Sequence, residues 1–277
     1  MGLRIATNVT SLNAQRQLSK NRWALDRSLE RLASGQRINR AGDDAAGLAI
    51  SENLRSNIRG MRQAKRNSSD GISLIQVTEG ALNEVSNMLI RLRELAIQAA
   101  SDTIGPTERQ FVDREFQSLK QEIDRIANGT EYNSIPLLNG SAGIFEIQVG
   151  INNNPMIDRV IYNGERADST LDALKIGGES VVTKEGAQLS LGALDDALIR
   201  VNSIRSDLGA LQNRLQSTIA NLEIYDENLS AARSRIADTD VAAETSELTK
   251  RNILSQAGIS VLSQANATNA MAIKLLG

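Results

Sequence analysis

Cysteine and histidine are absent from the chain, and the aromatic residues number only three Phe, three Tyr and one Trp in 277 positions. Without a thiol or an imidazole there is no disulfide, no thiolate nucleophile, no Ser-His-Asp triad and no Cys/His zinc site. Most common enzyme mechanisms go with them, and no cofactor is expected. The three prolines all lie between residues 106 and 155, so the flanking segments are free of the strongest helix breaker. With few aromatics, a core must rest on Leu, Ile, Val and Ala. The net charge is −2, which argues against the basic face that a nucleic-acid partner demands. No apolar run approaches the length of a membrane helix, so no membrane insertion is expected. The first thirty residues also lack the apolar core of a secretory leader, and any export is expected to need no cleaved signal peptide.

What is abundant is heptad spacing. Apolar positions alternate by three and four from Leu194 through Ala197, Val201, Ile204, Leu208, Leu211, Leu215, Thr218, Leu222, Tyr225, Leu229 and Ala232 to Ile236, with Thr218 the one poor fit. A second seam runs Leu82, Val85, Leu89, Leu92, Ala96, Ala99, and a third Val112, Phe116, Leu119, Ile123, Ile126. Gly105-Pro106 separates these two, and Thr107 with Gln110 predicts a capping-box start, so the second and third helices should fold back on each other. Period-two alternation in "IFEIQV" (144–149) and "MIDRVIY" (156–162) around "GINNNP" predicts a β-hairpin. Residues 164–186, rich in glycine, read as the least ordered part of the middle.

The two ends are alike. Ile5, Val9, Leu12, Leu18, Leu25, Leu29 and Leu32 form one helical stripe, and Leu248, Ile253, Ala257, Val261, Ala265, Met271 and Leu275 form another. Each is an amphipathic helix without a globular partner in mid-chain. Paired with each other, they would still have apolar faces that need other subunits.

Two charged stretches invite a chemical reading. In "SGQRINRAGDDAAGLAI" (34–50), Gly42 and Gly47 have P-loop spacing, but Leu48 and Ala49 stand where Lys and Ser/Thr are required. Asp43-Asp44 lacks the alternating ligands and closing Glu of an EF-hand. Asp43 or Asp44 is instead expected to cap the helix that follows. Asp238 and Asp240 in "SRIADTDVAAE" (234–244) are expected to break and cap in the same way. With no His and no Gly-rich cradle, a carboxylate-dependent enzyme is the weaker alternative. Both stretches read as joints, the one opposite the other.

Several motifs together resemble one family. "SLNAQRQL", "LASGQRINRAGDDAAGLAI", "LRELAIQAASDT", "EIDRIANGTEYNSIPLLNG", "RSDLGALQNRL", "NLSAARSRIADTDVAAETSEL" and "QAGISVLSQAN" occur in the order found in bacterial flagellins, over residues 1 to about 140 and 190–277. The resemblance implies a structural subunit that polymerises with itself into the extracellular flagellar filament for motility. It also implies export through the flagellar type III apparatus, a chaperone on the C-terminal segment, and contact with filament cap and hook-junction proteins. A hook–filament junction protein shares the terminal layout and is the structural alternative. Only about residues 141–189 stand where larger flagellins insert outer domains. By motif, Arg91, Leu95 and Glu115 stand where flagellins contact Toll-like innate immune receptors. Ile90, where the family often has Gln, and the terminal Gly277 depart from the pattern.

The expectation is a mainly α, elongated long-helix coiled-coil bundle with a small β-hairpin region. Residues 1–45 plus 237–277 would form a terminal filament-core domain with its connecting segments, and 46–236 a helical rod that includes the hairpin and loop region.

Overall fold

A computed structural model describes residues 7–274, with side chains through Thr268. Ile5, Leu275 and Gly277 lie outside the described residues, as does the Met271 side chain. The helices are α1 (Val9–Ser34), α2 (Ala45–Ala100), α3 (Pro106–Gly129), α4 (Lys184–Ala237) and α5 (Val241–Lys274). Two antiparallel hairpins fall between α3 and α4 in sequence: β1 (Glu131–Tyr132) with β2 (Ile135–Pro136), and β3 (Ile144–Gln148) with β4 (Arg159–Asn163). The chain divides into two compact units, residues 1–56 with 228–277, and residues 57–227. The limits of these units fall inside α2 and α4.

In the 57–227 unit the three heptad seams meet. Leu82, Val85, Leu89, Leu92, Ala96 and Ala99 of α2 are fully buried, as are Phe116 and Ile123 of α3 and Leu194, Val201 and Leu215 of α4. Each buried leucine stabilises by about 1.5–3 kcal/mol before ordering costs. Leu208 and Leu222 are also buried, Leu211 is half-buried, and Tyr225 is exposed. Charged pairs flank the contact between α2 and α4 in one antiparallel register: Arg62 with Asp226 at 2.9 Å, Lys65 with Glu223, and Arg93 with Asp195 at 2.7 Å.

The turn from α2 to α3 differs from the expected capping box. Gly105 is the N-cap and Pro106 the first helical residue, so Thr107 already lies inside the helix. Proline suits that place because its missing N–H has no intrahelical partner there. Arg109 closes the other side, donating to the carbonyls of Ala99 and Ser101 at 2.8 Å each.

The predicted hairpin forms as β3 and β4, with Ile144 opposite Asn163 and Gln148 opposite Arg159. Residues 156–158 belong to its loop. The small β1–β2 hairpin went unread; Asn133 and Ser134 turn it with φ of 51° and 62°, a left-handed pair that a two-residue hairpin requires. Gly71 on α2 seats the larger hairpin. A Cβ there would lie 2.6 Å from the Ile147 Cδ1 and 3.3 Å from the Leu215 Cδ1.

Residues 164–186 are folded, contrary to their glycine-rich look. Leu174, Ile176 and Val181 are buried. Lys120, itself buried, donates to the carbonyls of Gly177 and Glu179 at 2.7 Å each. Asp113 accepts from the Ser180 hydroxyl and the Val181 N–H. Burial pulls the Lys120 pKa below that of an ordinary lysine, while Asp113 and Glu179 oppose the shift.

Tyr162 on β4 is 5% exposed, and its ring centroid lies 5.7 Å from that of Phe145. Burial pushes its phenol up to about 12. Thr78 opposes this, yet its hydroxyl donates to the Leu74 carbonyl, and the Tyr162 hydroxyl has no well-formed hydrogen bond among the described residues. An unfolded tyrosine ionises near 10, so between there and 12 the folded state keeps a proton that the unfolded state has lost. This contribution to stability is intact below pH 10 and falls as pH rises, by about 2 kcal/mol at the end of the window. Tyr162→Phe is expected to flatten that alkaline decline in denaturant titrations; an unchanged slope excludes Tyr162 as its source.

Candidate subunit interface

The two joints lie side by side. Gly35 ends α1 with φ of 68°, the left-handed conformation that glycine adopts at helix C-termini. The next residue, Gln36, forms an antiparallel bridge with Asp238. The Arg37 N–H donates to the Ala237 carbonyl at 2.7 Å and the Thr239 N–H to the Gly35 carbonyl at 3.0 Å. The Arg37 guanidinium adds bonds to the Ile236 carbonyl at 3.2 and 2.8 Å.

Each of the four predicted aspartates has a distinct place. The Asp44 carboxylate accepts from the Gly47 N–H at 2.8 Å, the N-cap bond of α2. Asp43 accepts from the N–H groups of Asn39 and Arg40 and shapes the loop before the cap. Burial works against Asp43 ionisation, but those two N–H groups and the charges of Arg31 and Arg27 hold its pKa below the ordinary value. Asp240 caps α5 by accepting from Ala242 and Ala243. Asp238 serves through its backbone, in the bridge to Gln36. Gly47, which the P-loop spacing singles out, instead makes room for Ile38: a Cβ there would meet the Ile38 Cδ1 at 2.7 Å.

Beyond the joints, α1 and α5 pair antiparallel. Asn8 Nδ2 donates to the Ala265 carbonyl at 2.9 Å, Ser11 Oγ to Asn266 Oδ1 at 2.8 Å, and Asn21 Nδ2 to the Arg251 carbonyl at 2.8 Å. Arg31 pairs with Glu244 at 3.5 Å. The buried and half-buried positions keep heptad spacing: Ser11, Ala14, Leu18, Asn21, Leu25, Ser28 and Leu32 against Leu248, Arg251, Ser255, Gly258, Leu262 and Ala265. Gly258 admits Leu18, whose Cδ1 would lie 3.2 Å from a Cβ at that position.

This seam follows the stripes predicted from hydrophobicity only in part: Leu18, Leu25, Leu32, Leu248 and Ala265 belong to both. Val9, Leu12 and Leu29 of α1, and Ile253 and Val261 of α5, are 49–62% exposed, and Ala257 is exposed too. The described pair therefore closes on a mixture of small and polar residues with Leu18, Leu25, Leu32, Leu248 and Leu262, and turns much of its remaining apolar surface outward. Trp23, opposite the α1 seam, is 78% exposed. On α5 apolar residues surround the axis, with Leu248 and Leu262 inward and Ile253, Leu254, Ile259 and Val261 outward.

In the 57–227 unit, Arg91 and Glu115 are exposed and bound to each other, with N–O distances of 3.0 and 2.8 Å; Arg91 also reaches Glu94 at 2.9 Å. Hydrogen bonds to Glu94 and Glu115 raise the Arg91 pKa above its ordinary value. Leu95 is 1% exposed, so it supports this face from within and presents no surface to a partner. The apolar side chains on this stretch of the surface are Ile90, Ile97 and Phe111, at 47%, 50% and 59% exposure. Among the described residues no cluster of three carboxylates could hold a metal, and no helix is long and apolar enough to cross a membrane.

Comparison with known proteins accords with this geometry. The family model of the bacterial flagellin N-terminal helical region matches residues 5–143, and that of the C-terminal helical region matches 191–276. A flagellin of Halalkalibacterium halodurans is 44% identical, over 97% of this chain and 98% of that protein. One of Bacillus subtilis is 42% identical, over 99% of this chain and 100% of that protein. The crystal structure of Bacillus cereus flagellin superposes with a TM-score of 0.51 at 30% identity, covering 57% of this chain and 88% of that one.

Proposed function

From the premise that the chain belongs to the bacterial flagellin family, and so is a structural subunit of the flagellar filament outside the cell, we propose how its copies join. The outward apolar faces of α1 and α5 are the surfaces that neighbouring copies bury. One observation carries this reading: with the pair closed, Val9, Leu12, Ile253, Ile259 and Val261 are still in solvent. Patches of that kind on a subunit are interaction sites, and heterologous contacts that do not close into a ring propagate as a helix. Residues 1–45 with 237–277 then act as the filament-core domain and 46–236 as the helical rod domain. Because Trp23 is the only tryptophan, its fluorescence reports on this face. Polymerisation is expected to shift its emission to shorter wavelength and shield it from a soluble quencher. Equal quenching in subunit and filament would remove the α1 face from the interface.

The same exposed faces explain a need for escort before assembly. We place export in the flagellar type III apparatus, directed by the N-terminal segment and with no leader removed, a chaperone on 241–277, and cap and hook-junction proteins at the filament ends. Chaperone binding should disappear on deleting 241–277 and survive deletion of 1–32. Intact mass of filament subunits should show no loss beyond the initiator methionine.

For a Toll-like innate immune receptor, the proposed contact is the Arg91–Glu115 pair with Leu95 as support beneath it. Arg91→Ala and Glu115→Ala are each expected to weaken receptor activation about tenfold or more without changing helicity, as truncation of a charged interface anchor does. Wild-type signalling by both variants would exclude this face.

A further inference from the structure

Asparagine is followed by glycine at Asn128, Asn139 and Asn163. Such a pair can close a ring on itself, because no glycine side chain hinders attack of the backbone nitrogen on the neighbouring amide. Asn128 lies in the last turn of α3 with Nδ2 donating to the Asp124 carbonyl at 2.9 Å, and Gly129 is the final helical residue. Asn163 Oδ1 accepts from the Glu165 N–H at 3.0 Å, while the adjoining Gly164 is buried and its N–H donates to the Gly143 carbonyl at 2.8 Å. Asn139, in the loop after β2, has the same side-chain turn beside an open nitrogen. Its Oδ1 accepts from the Ser141 N–H at 3.1 Å and the Ser141 hydroxyl at 2.6 Å. The Gly140 N–H makes no hydrogen bond among the described residues. The Asp168 carboxylate stands against this glycine: its Oδ2 would lie 2.7 Å from a Cβ there, while its Oδ1 accepts from the Thr170 N–H and hydroxyl.

We propose that Asn139 is a self-modification site, converted to aspartate and isoaspartate by attack of the Gly140 nitrogen on its side-chain amide. Asp168 takes the Gly140 proton as the bond from that nitrogen to Asn139 Cγ forms. The two Ser141 donors stabilise the negative charge that develops on Oδ1. The Cγ–Nδ2 bond then breaks, and Nδ2 leaves as ammonia with the transferred proton. Water opens the cyclic imide at either carbonyl, giving aspartate or a backbone routed through the side chain. Nothing is oxidised or reduced; one water is consumed, one ammonia is released, and the chain gains a negative charge. Nucleophile, base and donors held in one loop make the step internal, which is where proximity accelerates most. The isoaspartate product lengthens the backbone next to Leu138, which is fully buried and whose carbonyl accepts from the Ser169 N–H at 2.9 Å. The mark therefore also loosens the packing beneath it. This inference stands apart from the reading of the chain as a filament subunit.

Peptide mass spectrometry of the purified full-length chain, incubated at neutral pH, reads all three sites together. The same chain unfolded in guanidinium gives the rate of each site without structure. In the folded chain Asn128 and Asn163 are expected to slow by about tenfold or more, as for sites that react only on opening. Asn139 is expected to react at least as fast folded as unfolded, with isoaspartate detected by methyltransferase labelling. Ser141→Ala keeps the N–H donor and Asp168→Asn keeps the Oδ1 acceptor for Thr170. Each should slow Asn139 by about tenfold or more, as loss of an oxyanion donor or a base does, and leave Asn128 and Asn163 unchanged. A folded Asn139 as protected as the other two overturns the proposal, and this comparison uses the unmodified chain, so it does not depend on how the variants fold. Wild-type rates at Asn139 in both variants, at unchanged helicity and melting, overturn the roles of Ser141 and Asp168.

Discussion

Leu215→Asp abolishes the cooperative melting of the 57–227 unit. Leu215 is fully buried on α4 and sits where α2 passes close at Gly71, beside Ile147 of the hairpin. Aspartate there loses the leucine's packing, worth about 2–5 kcal/mol, and also places a carboxylate at a fully buried position, which carries a further desolvation cost. The combined loss approaches the whole stability of a typical domain, about 5–15 kcal/mol. Leu211→Asp tests the seam by contrast. Leu211 is only half-buried, so its carboxylate can reach water and the expected loss is smaller, about 1–2 kcal/mol. Far-UV circular dichroism during guanidinium titration measures both. Equal midpoints for the two variants would contradict the burial difference between them.

Deletion of residues 1–32 or 241–277 yields a soluble, folded monomer that cannot form filaments. The 57–227 unit has its own core, running from Leu74 to Leu215. Its ion pairs Arg62–Asp226 and Arg93–Asp195 are internal to it as well. Removing either terminal helix takes one partner from the α1–α5 pair and leaves that core intact. Polymerisation should then be lost outright, since half of the proposed contact surface is gone. Sedimentation and electron microscopy decide the outcome; normal filaments from either truncation would sink the assembly assignment. The melting transition of the core should survive in both.

How much of this was legible in the sequence depended on whether one apolar stripe or two ran along a helix. On α2, α3 and α4 within the 57–227 unit the single strongest stripe is also the buried one, and heptad spacing led to Leu89, Phe116 and Leu208 directly. On α1 and α5 apolar residues fall on two sides, and the single stripe drawn from hydrophobicity mixed inward Leu18, Leu25, Leu32 and Leu248 with outward Val9, Leu12, Leu29, Ile253 and Val261, while inward Ser11, Ala14 and Asn21 have too little apolar character to be found that way. Spacing of small residues would have been the better guide there. Asp43, Asp44, Asp238 and Asp240 were read as joint residues, but only the coordinates separate the caps, Asp44 and Asp240, from a loop-shaping carboxylate and a bridge. Residues 164–186 lacked any period, because what anchors them is Lys120 and Asp113 on a distant helix. Leu95 shows the opposite limit: a motif locates a residue in the chain without saying which way its side chain points.

The paired joints also fix an order of folding. Asn21 and Arg251 are 230 positions apart, and Asn8 and Ala265 are 257 apart. Closing a flexible loop of that length costs on the order of 5 kcal/mol in chain entropy, which the half-buried seam of α1 and α5 has to offset. Folding of residues 57–227 removes most of that cost beforehand, since the Arg62–Asp226 pair already holds the two chain passages together at 2.9 Å. What remains is a short closure made by the Gln36–Asp238 bridge. The terminal helices are therefore expected to form last and open first, so that a subunit would keep a finished core while its adhesive ends are still undocked; hydrogen exchange slower in residues 57–227 than in α1 and α5 is the measurement that checks it.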